Sequence, residues 1–427
     1  MRLTSLAPLL MAAVCLITRP SVAADAPTNE ELKRQLDVVA GEVQKLRTGD
    51  AGATGGATAD RSSYGFAPGA SKIYRTGQGV SIGGYGQLLY ENFASSTHGG
   101  DVSNEQDRID LLQAVIYFGY RFDEHWLFNS ETEFEHASTE VNGAVGIEFA
   151  YLDRLTRPEV NFRVGYLLMP LGLLNVLHEP TIFLGTHRPE VERRIIPSTW
   201  SEPGLGIFGE LGPVTYRWYL VGALNAGAFD AEEGIREGRQ KASEAIAESW
   251  GTTLRVDYTG MPGLLAGVGL LLGNATTPLD PAQGGGMAVP IHLYEAHVDY
   301  RWRGLQLRAL GAFTFLSKIE SLNAARNLLG EDSIGNEQRG YYFEAGYDVC
   351  SGEKSALIPF VRWEDLDTQL AVPGGFSRNP ANHRRNLTFG VNYKPIDQLV
   401  FKADYQNFLL GDSSGVNQWN LAAGYVF

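Results

Sequence analysis

The stretch HLYEAHVDYRW, residues 292–302, alternates between apolar and polar residues from Tyr294 to its end. Its even-numbered residues from Tyr294 to Trp302 are apolar or aromatic. The odd-numbered residues between them are polar or charged: Glu295, His297, Asp299 and Arg301. Successive side chains of a β-strand point to opposite faces. The pattern therefore predicts a strand with one apolar face and one charged face.

The same period of two continues over most of the chain, and we predict about sixteen strands. They lie near 79–93, 107–122, 125–138, 144–155, 159–169, 204–211, 213–225, 248–258, 263–274, 288–302, 304–316, 338–349, 356–367, 384–394, 398–409 and 417–427. Nearly all of these segments are long enough to cross a lipid bilayer when tilted.

The connections between these segments alternate in length. Two or three residues join most even-numbered strands to the next strand, as at Arg303-Gly304, whereas long connections such as 170–203 follow most odd-numbered strands. Outer-membrane barrels have short periplasmic turns and long outer loops. The alternative, a soluble sandwich, has no reason to alternate short and long connections in this way. We therefore predict an all-β fold, a sixteen-stranded antiparallel transmembrane β-barrel over residues 75–427.

The chain ends in WNLAAGYVF, residues 419–427, with a bare aromatic residue at the C-terminus. Backbone groups inside hydrocarbon need hydrogen-bond partners, so a spanning sheet has to close on itself and turn its apolar face to lipid. The apolar side of the last strand is then expected to face outer-membrane lipid. We interpret Phe427 as the signal that barrel-assembly machinery recognises. Aromatic residues near strand ends are expected in interfacial girdles: Trp126, Trp218, Trp302, Tyr405 and Trp419.

The N-terminal region differs from the rest of the chain. Residues 1–23 carry a basic start, an apolar core and small residues before Ala23, which predicts a secretory signal peptide. Residues 24–48 are predicted to form a coiled-coil helix in the periplasm, because apolar residues recur at heptad spacing. These residues are Leu32, Leu36, Val39, Val43 and Leu46. A single amphipathic helix resting on another surface is the alternative. Residues 49–74 are predicted to be a flexible linker.

Composition narrows the possible functions. The net charge of −14 argues against a nucleic-acid partner. The spacing of histidines and acids matches no metal-binding motif, and we found no arrangement that suggests a catalytic triad. We therefore expect neither a cofactor nor enzyme activity.

Several sequence blocks, taken in order, resemble the phosphate-selective porin O and P family. The blocks are GYGQLLY (84–90), ETEFEHA (131–137), EFAYLDR (148–154), GYLLMPLGLLN (165–175), GIREGRQ (234–240), EAHVDYRWRGLQLRALGAF (295–313), GYYFEAGYDV (340–349), LIPFVRWED (357–365) and VFKADYQ (400–406). The resemblance covers residues 80–427. It implies a sixteen-stranded homotrimeric porin for small hydrophilic solutes, including anions such as phosphate.

The connection 170–203 is expected to line the constriction of the pore, because porins commonly fold the loop after the fifth strand into the bore and because it is too long to be an idle loop. Its charged residues are His187, Arg188, Glu190, Glu192, Arg193 and Arg194. If the segment is extended, Arg193 and Arg194 point to opposite sides, so we expect that only one reaches the lumen. The alternative is an outer lid with solvated charges.

The inward faces of the strands carry mixed charges, which we expect to line the pore. The residues are Arg121, Glu131, Glu133, Glu135, Glu148, Arg163, Arg217, Arg255, Glu295, Arg301, Arg308, Glu344 and Arg362. A dedicated phosphate pore should be richer in bidentate donors. We therefore expect an outer-membrane porin for passive diffusion. The alternative is a structural protein that tethers the envelope through its N-terminal helix.

Overall fold

The computed structural model describes residues 64–137, 143–278, 286–350 and 355–427. The predicted signal peptide, the predicted coiled-coil helix and the linker as far as residue 63 lie outside the described residues, so those predictions stay open. In the described part of the chain, no helix has the length and apolar character needed to cross a membrane.

The described residues form sixteen β-strands. The strands are β1 (Gly79–Phe93), β2 (Arg108–Arg121), β3 (Trp126–Glu135), β4 (Ala144–Arg157), β5 (Val160–Leu168), β6 (Ser201–Leu211), β7 (Val214–Gly222), β8 (Trp250–Tyr258), β9 (Leu264–Thr276), β10 (Ala288–Trp302), β11 (Leu305–Leu316), β12 (Glu337–Tyr347), β13 (Ala356–Ala371), β14 (His383–Ile396), β15 (Leu399–Leu410) and β16 (Gln418–Val426). Two short α-helices lie in connections, α1 (Glu190–Arg194) and α2 (Ile319–Ala325). There are also single-turn 3-10 helices: Lys72–Arg75, Ala226–Ala228, Arg236–Gly238, Gly330–Asp332 and Pro380–Asn382.

Every strand pairs antiparallel with its neighbours in the chain, and β16 pairs with β1 to close the barrel. The closing register runs from Tyr85 opposite Val426 to Phe93 opposite Gln418. Beyond it, the Phe427 N–H donates to Gly84 O at 2.8 Å. The predicted sixteen-stranded closed barrel is confirmed.

Strand ends differ from the predicted ends by a few residues. The largest extension is in β13, which continues to Ala371 instead of ending at 367. The extra residues have no alternating apolar pattern, but residues of two neighbouring connections bind polar side chains at this end of the strand. The Gln369 side chain donates to Ser333 O and Glu331 O, and Asp367 pairs with Arg378. Tertiary partners therefore extend a strand that its sequence alone does not mark.

The outer face of the barrel is apolar along the strands. Large exposed side chains occupy alternate positions, among them Ile82, Val268, Phe343 and Leu421. Trp126 and Trp302 are exposed at the ends of β3 and β10 that adjoin short turns, and Trp419 is exposed at the opposite end of β16. Trp218 lies at the middle of β7 instead of at a strand end. An apolar band between exposed tryptophans is the surface that hydrocarbon requires.

The inside of the barrel is filled over much of its height. Inward-facing wall residues pack with apolar residues of the connections in one buried cluster. Its wall members include Tyr85, Leu167, Tyr219 and Leu293, and its members from connections include Leu173, Ile196, Phe229 and Leu322. The sequence led us to expect that the charged inward faces of the strands line a pore. The described residues instead form a bore that polypeptide partly occupies.

Residues 64–74 also lie inside the barrel. Phe66, Ala70 and Ile73 are buried and belong to the interior apolar cluster. The predicted flexible linker over 49–74 is therefore wrong for residues 64–74. Their sequence, YGFAPGASKIY, has no regular apolar period, and distant residues of the wall and of the β5–β6 connection supply their hydrogen-bond partners.

A charge on the lipid-facing side should destabilise the barrel according to its depth. Val268, which is 54% exposed, lies near the middle of β9, and Asn274 lies on the same face near the strand end. We expect Val268→Lys to lower the free energy of unfolding by about 2–4 kcal/mol, and Asn274→Lys to lower it by about 0–1 kcal/mol. Urea unfolding in lipid vesicles measures both values. Equal costs for the two variants would contradict a membrane-facing surface.

Candidate functional site

The connection between β5 and β6, residues 169–200, folds into the bore. Asn175 closes its base, because the Asn175 side chain donates to Met169 O at 2.7 Å and to Trp200 O at 3.0 Å. The Trp200 N–H donates back to Asn175 Oδ1 at 2.7 Å. We call residues 169–200 the inner loop. Its start and end are thus tied together before it crosses the interior.

Basic side chains of the wall hold the tip of the inner loop by its backbone. Lys402 Nζ donates to Phe183 O at 3.0 Å and to Gly185 O at 2.7 Å. Lys394 Nζ donates to Thr181 O at 2.6 Å. These bonds satisfy carbonyl groups that would otherwise be buried without partners, which is costly.

Two arginines of the wall bind the same segment. Arg362 donates to Leu184 O and to His187 O, each at 3.2 Å. Arg308 donates to Ile182 O at 3.3 Å. Four wall cations, Arg308, Arg362, Lys394 and Lys402, are therefore engaged by the inner loop.

Helix α1 of the inner loop contains most of the predicted constriction residues. Arg193 and Arg194 pair with Glu190 at 3.0 and 2.7 Å, and both also pair with Glu233 of the next long connection. Burial alone would raise the pKa of Glu190, but the two guanidinium groups outweigh it and hold the pKa below its ordinary value. Neither arginine is free to meet a solute.

Glu192 is hydrogen-bonded inside the protein and is not exposed to water. It is buried, its Oε2 accepts from the Leu174 N–H at 2.5 Å, and its Oε1 accepts from the Tyr342 hydroxyl at 2.7 Å. Of the predicted constriction residues, Glu190, Glu192, Arg193 and Arg194 thus serve to attach the inner loop to its surroundings.

His187 and Arg188 are half-buried, as Glu190 and Arg193 are, but they lie outside the ion pairs of Glu190 and Glu233. His187 Nε2 lies 3.2 Å from Glu91 Oε1 of β1, and Glu91 also pairs with Arg108 at 3.1 Å. Among the basic residues of the inner loop, all of which the structure describes, Arg188 is the one without an ion pair or hydrogen bond to another described residue. Its charge nevertheless acts on its neighbours, since it opposes the rise in the pKa of buried His178.

An acidic surface of the wall faces this part of the inner loop. Glu131, Glu133 and Glu135 follow one another on the inward face of β3, and Glu148 lies on β4 beside them. Glu131 is buried, and its Oε1 accepts from the Tyr85 hydroxyl and lies 3.0 Å from His178 Nε2. Glu133 and Glu148 are also buried, whereas Glu135 is half-buried.

The remaining predicted wall residues, apart from Arg121, form three separate groups of ion pairs. Buried charges are normally paired in this way. The pairs are Arg163 with Asp153, Arg217 and Arg255 with Asp257, His297 with Asp257 and Glu295, Arg301 and Arg308 with Asp299, and Arg308 and Arg362 with Glu344. Arg121 instead binds carbonyl groups at the periplasmic turn, including Asp123 O and Glu124 O.

Glu91 and Lys402, two further residues that shape the site, lie on inward faces as the period of two predicts. Sequence reasoning missed a third residue, Glu179. Glu179 lies in the inner loop, where no period exists. It accepts from the Gly69 and Ala70 N–H groups at 2.8 and 3.2 Å, while burial raises its pKa to about 7 against these hydrogen bonds.

Within the described ranges, no group of three or more histidine, cysteine, aspartate or glutamate side chains is arranged to hold a metal ion. Partly exposed charged residues are instead found on the inner loop and on the inward faces of β1 and β3. They are Glu91, Glu135, His187 and Arg188.

Comparison with solved structures gives outer-membrane barrels. A Vibrio cholerae outer membrane protein, OmpT with loop L8 deleted, matches with a TM-score of 0.52 at 11% identity, over 82% of this chain and 99% of that chain. Salmonella typhi OmpF in complex with daunomycin matches with a TM-score of 0.53 at 15% identity, over 83% and 99%. These similarities show the fold, which is that of outer-membrane porins.

No family model matches the chain, so the resemblance to the phosphate-selective porins is not confirmed by this comparison. A sequence relative covers most of it. This relative, described as an uncharacterized protein of Aquifex aeolicus (strain VF5), is 34% identical over 353 residues, which are 80% of this chain and 78% of that protein. An identity of this level over this length shows common descent, and the chain belongs to the family of that Aquifex aeolicus protein, with the fold of an outer-membrane β-barrel.

Proposed function

We propose that the protein is an outer-membrane porin that gives passive diffusion to small hydrophilic solutes and ions. The observation that carries this proposal is a group of partly exposed charged residues, Glu91, Glu135, His187 and Arg188, inside a wall whose outer face is apolar. Water reaches these charges although most of the interior is buried. A narrow passage lined by both signs of charge admits polar solutes and disfavours apolar ones.

The proposed site of selection is the gap between Arg188 and the acidic residues of β3 and β4. Arg188 supplies a positive charge without a described partner, whereas Glu133, Glu135 and Glu148 have no described cation within ion-pair distance. The acids outnumber the base, so we propose a weak preference for cations. Oligomerisation as a homotrimer is part of the proposal, and a solved Vibrio cholerae OmpT, matched with a TM-score of 0.50, is described in trimer form.

Phosphate selectivity is the alternative that the resemblance to the phosphate-selective porins favours. Against it stands the engagement of Arg308, Arg362, Lys394 and Lys402 by carbonyl groups of the inner loop. A phosphate pathway would need donors of this kind free to bind the anion. General diffusion therefore fits the contacts better.

Replacement of Arg188 should change ion preference. A unit charge about 4 Å from a passing ion contributes ~1 kcal/mol even in water, favourable for chloride and unfavourable for potassium, so we expect Arg188→Gln to lower the chloride-to-potassium permeability ratio roughly thirtyfold. Reversal potentials under a KCl gradient in planar bilayers measure the ratio. Arg385→Gln is the control, because Arg385 is exposed on the outer side of β14 and should leave the ratio unchanged. An unchanged ratio in Arg188→Gln would remove the proposed selection site.

Phosphate should not inhibit chloride current. With its wall cations bound to the inner loop, the channel lacks a cluster of free donors that would retain phosphate, and addition of phosphate at constant ionic strength should leave chloride conductance unchanged. Single-channel recording in phosphate and in chloride tests this directly. A fall in chloride conductance that saturates with phosphate would favour the phosphate-selective alternative.

Deletion of residues 24–63 separates the porin from the proposed tether. The variant keeps the barrel and the ordered segment from residue 64, so its single-channel conductance should equal that of the unaltered protein. A protein that acts only as a tether would show no conductance in either form, and its deletion would detach the outer membrane from its partner.

A further inference from the structure

Residues 64–76, which we call the mouth segment, run across the interior near the periplasmic ends of the strands. The segment contains the 3-10 helix Lys72–Arg75 and leads into β1. Phe66, Ala70 and Ile73 are buried in the interior apolar cluster. None of its residues belongs to the strands of the barrel wall. The segment therefore adds a separate piece of polypeptide to the bore.

The mouth segment contacts the wall from β7 to β2. At its start, Arg217 Nε of β7 donates to Tyr64 O at 3.2 Å. In its middle, the Asn129 side chain of β3 donates to Ala70 O at 2.9 Å. At its end, Arg121 of β2 donates to Tyr74 O at 3.1 Å.

Tyr74 is its main polar anchor. Its hydroxyl donates to Asp153 Oδ2 at 2.7 Å and accepts from Arg163 at 2.7 Å. It also lies 2.9 Å from the Tyr151 hydroxyl. Arg163 and Asp153 pair directly with each other, so the wall keeps its ion pair whether or not Tyr74 is present.

The mouth segment and the inner loop together occupy both sides of the bore. The tip of the inner loop is bound to β11, β13, β14 and β15, whereas the mouth segment is bound to β2, β3, β4 and β7. The two meet where Glu179 Oε1 accepts from the Gly69 and Ala70 N–H groups. A Cβ at Gly69 would lie 2.8 Å from that oxygen, so only glycine allows this approach without a shift.

The connection to β1 permits movement of the mouth segment as a unit. Gly77 and Gln78 are exposed, and a Cβ added at Gly77 would meet no atom within 4 Å. Arg121, Asn129 and Arg217 donate hydrogen bonds to backbone carbonyl groups of the segment. Water can replace these donors when the segment moves. The apolar anchors are few, chiefly Phe66 and Ile73.

We propose that the mouth segment is a removable plug, which closes the periplasmic side of the bore against the inner loop and opens it by moving out about Gly77. This inference rests on the proposed function as a porin. The solutes it controls are those that pass between the inner loop and the wall of β1 to β4.

Tyr74→Phe tests the plug, because it removes the polar anchor and leaves the wall ion pair in place. The fraction of molecules in which the mouth segment has left the bore should rise roughly tenfold. This change corresponds to about 1.4 kcal/mol, the contribution of one buried hydrogen-bonded group. Planar-bilayer recording should show a matching rise in the open fraction. Tyr216→Phe is the control, because the Tyr216 hydroxyl donates to Glu159 O at an exposed turn away from the segment.

Thiol labelling measures plug movement independently of conductance. In a Cys350→Ser background, Ala70→Cys places a thiol at a buried position of the segment and Gly77→Cys places one at an exposed position. Each variant is labelled with a membrane-impermeant maleimide. We expect fast labelling at 77, slow labelling at 70, and roughly tenfold faster labelling at 70 when Tyr74→Phe is added.

The two measurements distinguish the plug from the porin. Labelling at 70 that stays absent in the Tyr74→Phe background, or an open fraction unchanged by Tyr74→Phe, would overturn the plug. A chain that conducts in none of these variants but labels at 70 as expected would overturn the porin proposal and keep the movement of the segment.

Discussion

The structure depends on the requirement that each backbone N–H and C=O group facing hydrocarbon has a partner within the protein. A flat sheet would leave two open edges, and only closure removes both. The pairing of β16 with β1, extended by the hydrogen bond from Phe427 N–H to Gly84 O, supplies that closure. The apolar outer face, the alternation along the strands and the short turns on one side all follow from this single constraint.

Closure creates a second problem, which is an inner face that is charged and largely cut off from water. In the wall, many inward charges pair with a neighbour two residues away or on a nearby strand, as Arg255 does with Asp257. The cations Lys394 and Lys402 instead donate hydrogen bonds to backbone carbonyl groups of the inner loop. Removing one member of such a buried pair is costly, so the charged wall is best understood as a scaffold that holds the loop, with a small remainder left for solutes.

The strands were predictable because a period of two is a local property, visible in stretches such as 292–302. The pairing partners of individual charged residues were not predictable, because they depend on the register between strands and on where the inner loop lies. Arg193 and Arg194 were expected as pore residues on charge alone, yet Glu190 and Glu233 neutralise them. Residues 64–74 were assigned to a linker for the same reason: their order comes from wall residues far away in sequence, such as Asp153 and Arg163.

The tip of the inner loop is held through peptide carbonyl groups from Thr181 to His187. Every amino acid carries that oxygen, so these hydrogen bonds follow the path of the chain. The side chains from Thr181 to Thr186 are nevertheless buried and fixed by packing, as where Lys402 Nζ lies 3.7 Å from the centre of the Phe183 ring. His187, at the half-buried end of this stretch, binds Arg362 through its carbonyl group. Substitution there changes the chemistry of the loop surface while the barrel keeps the backbone in the same place.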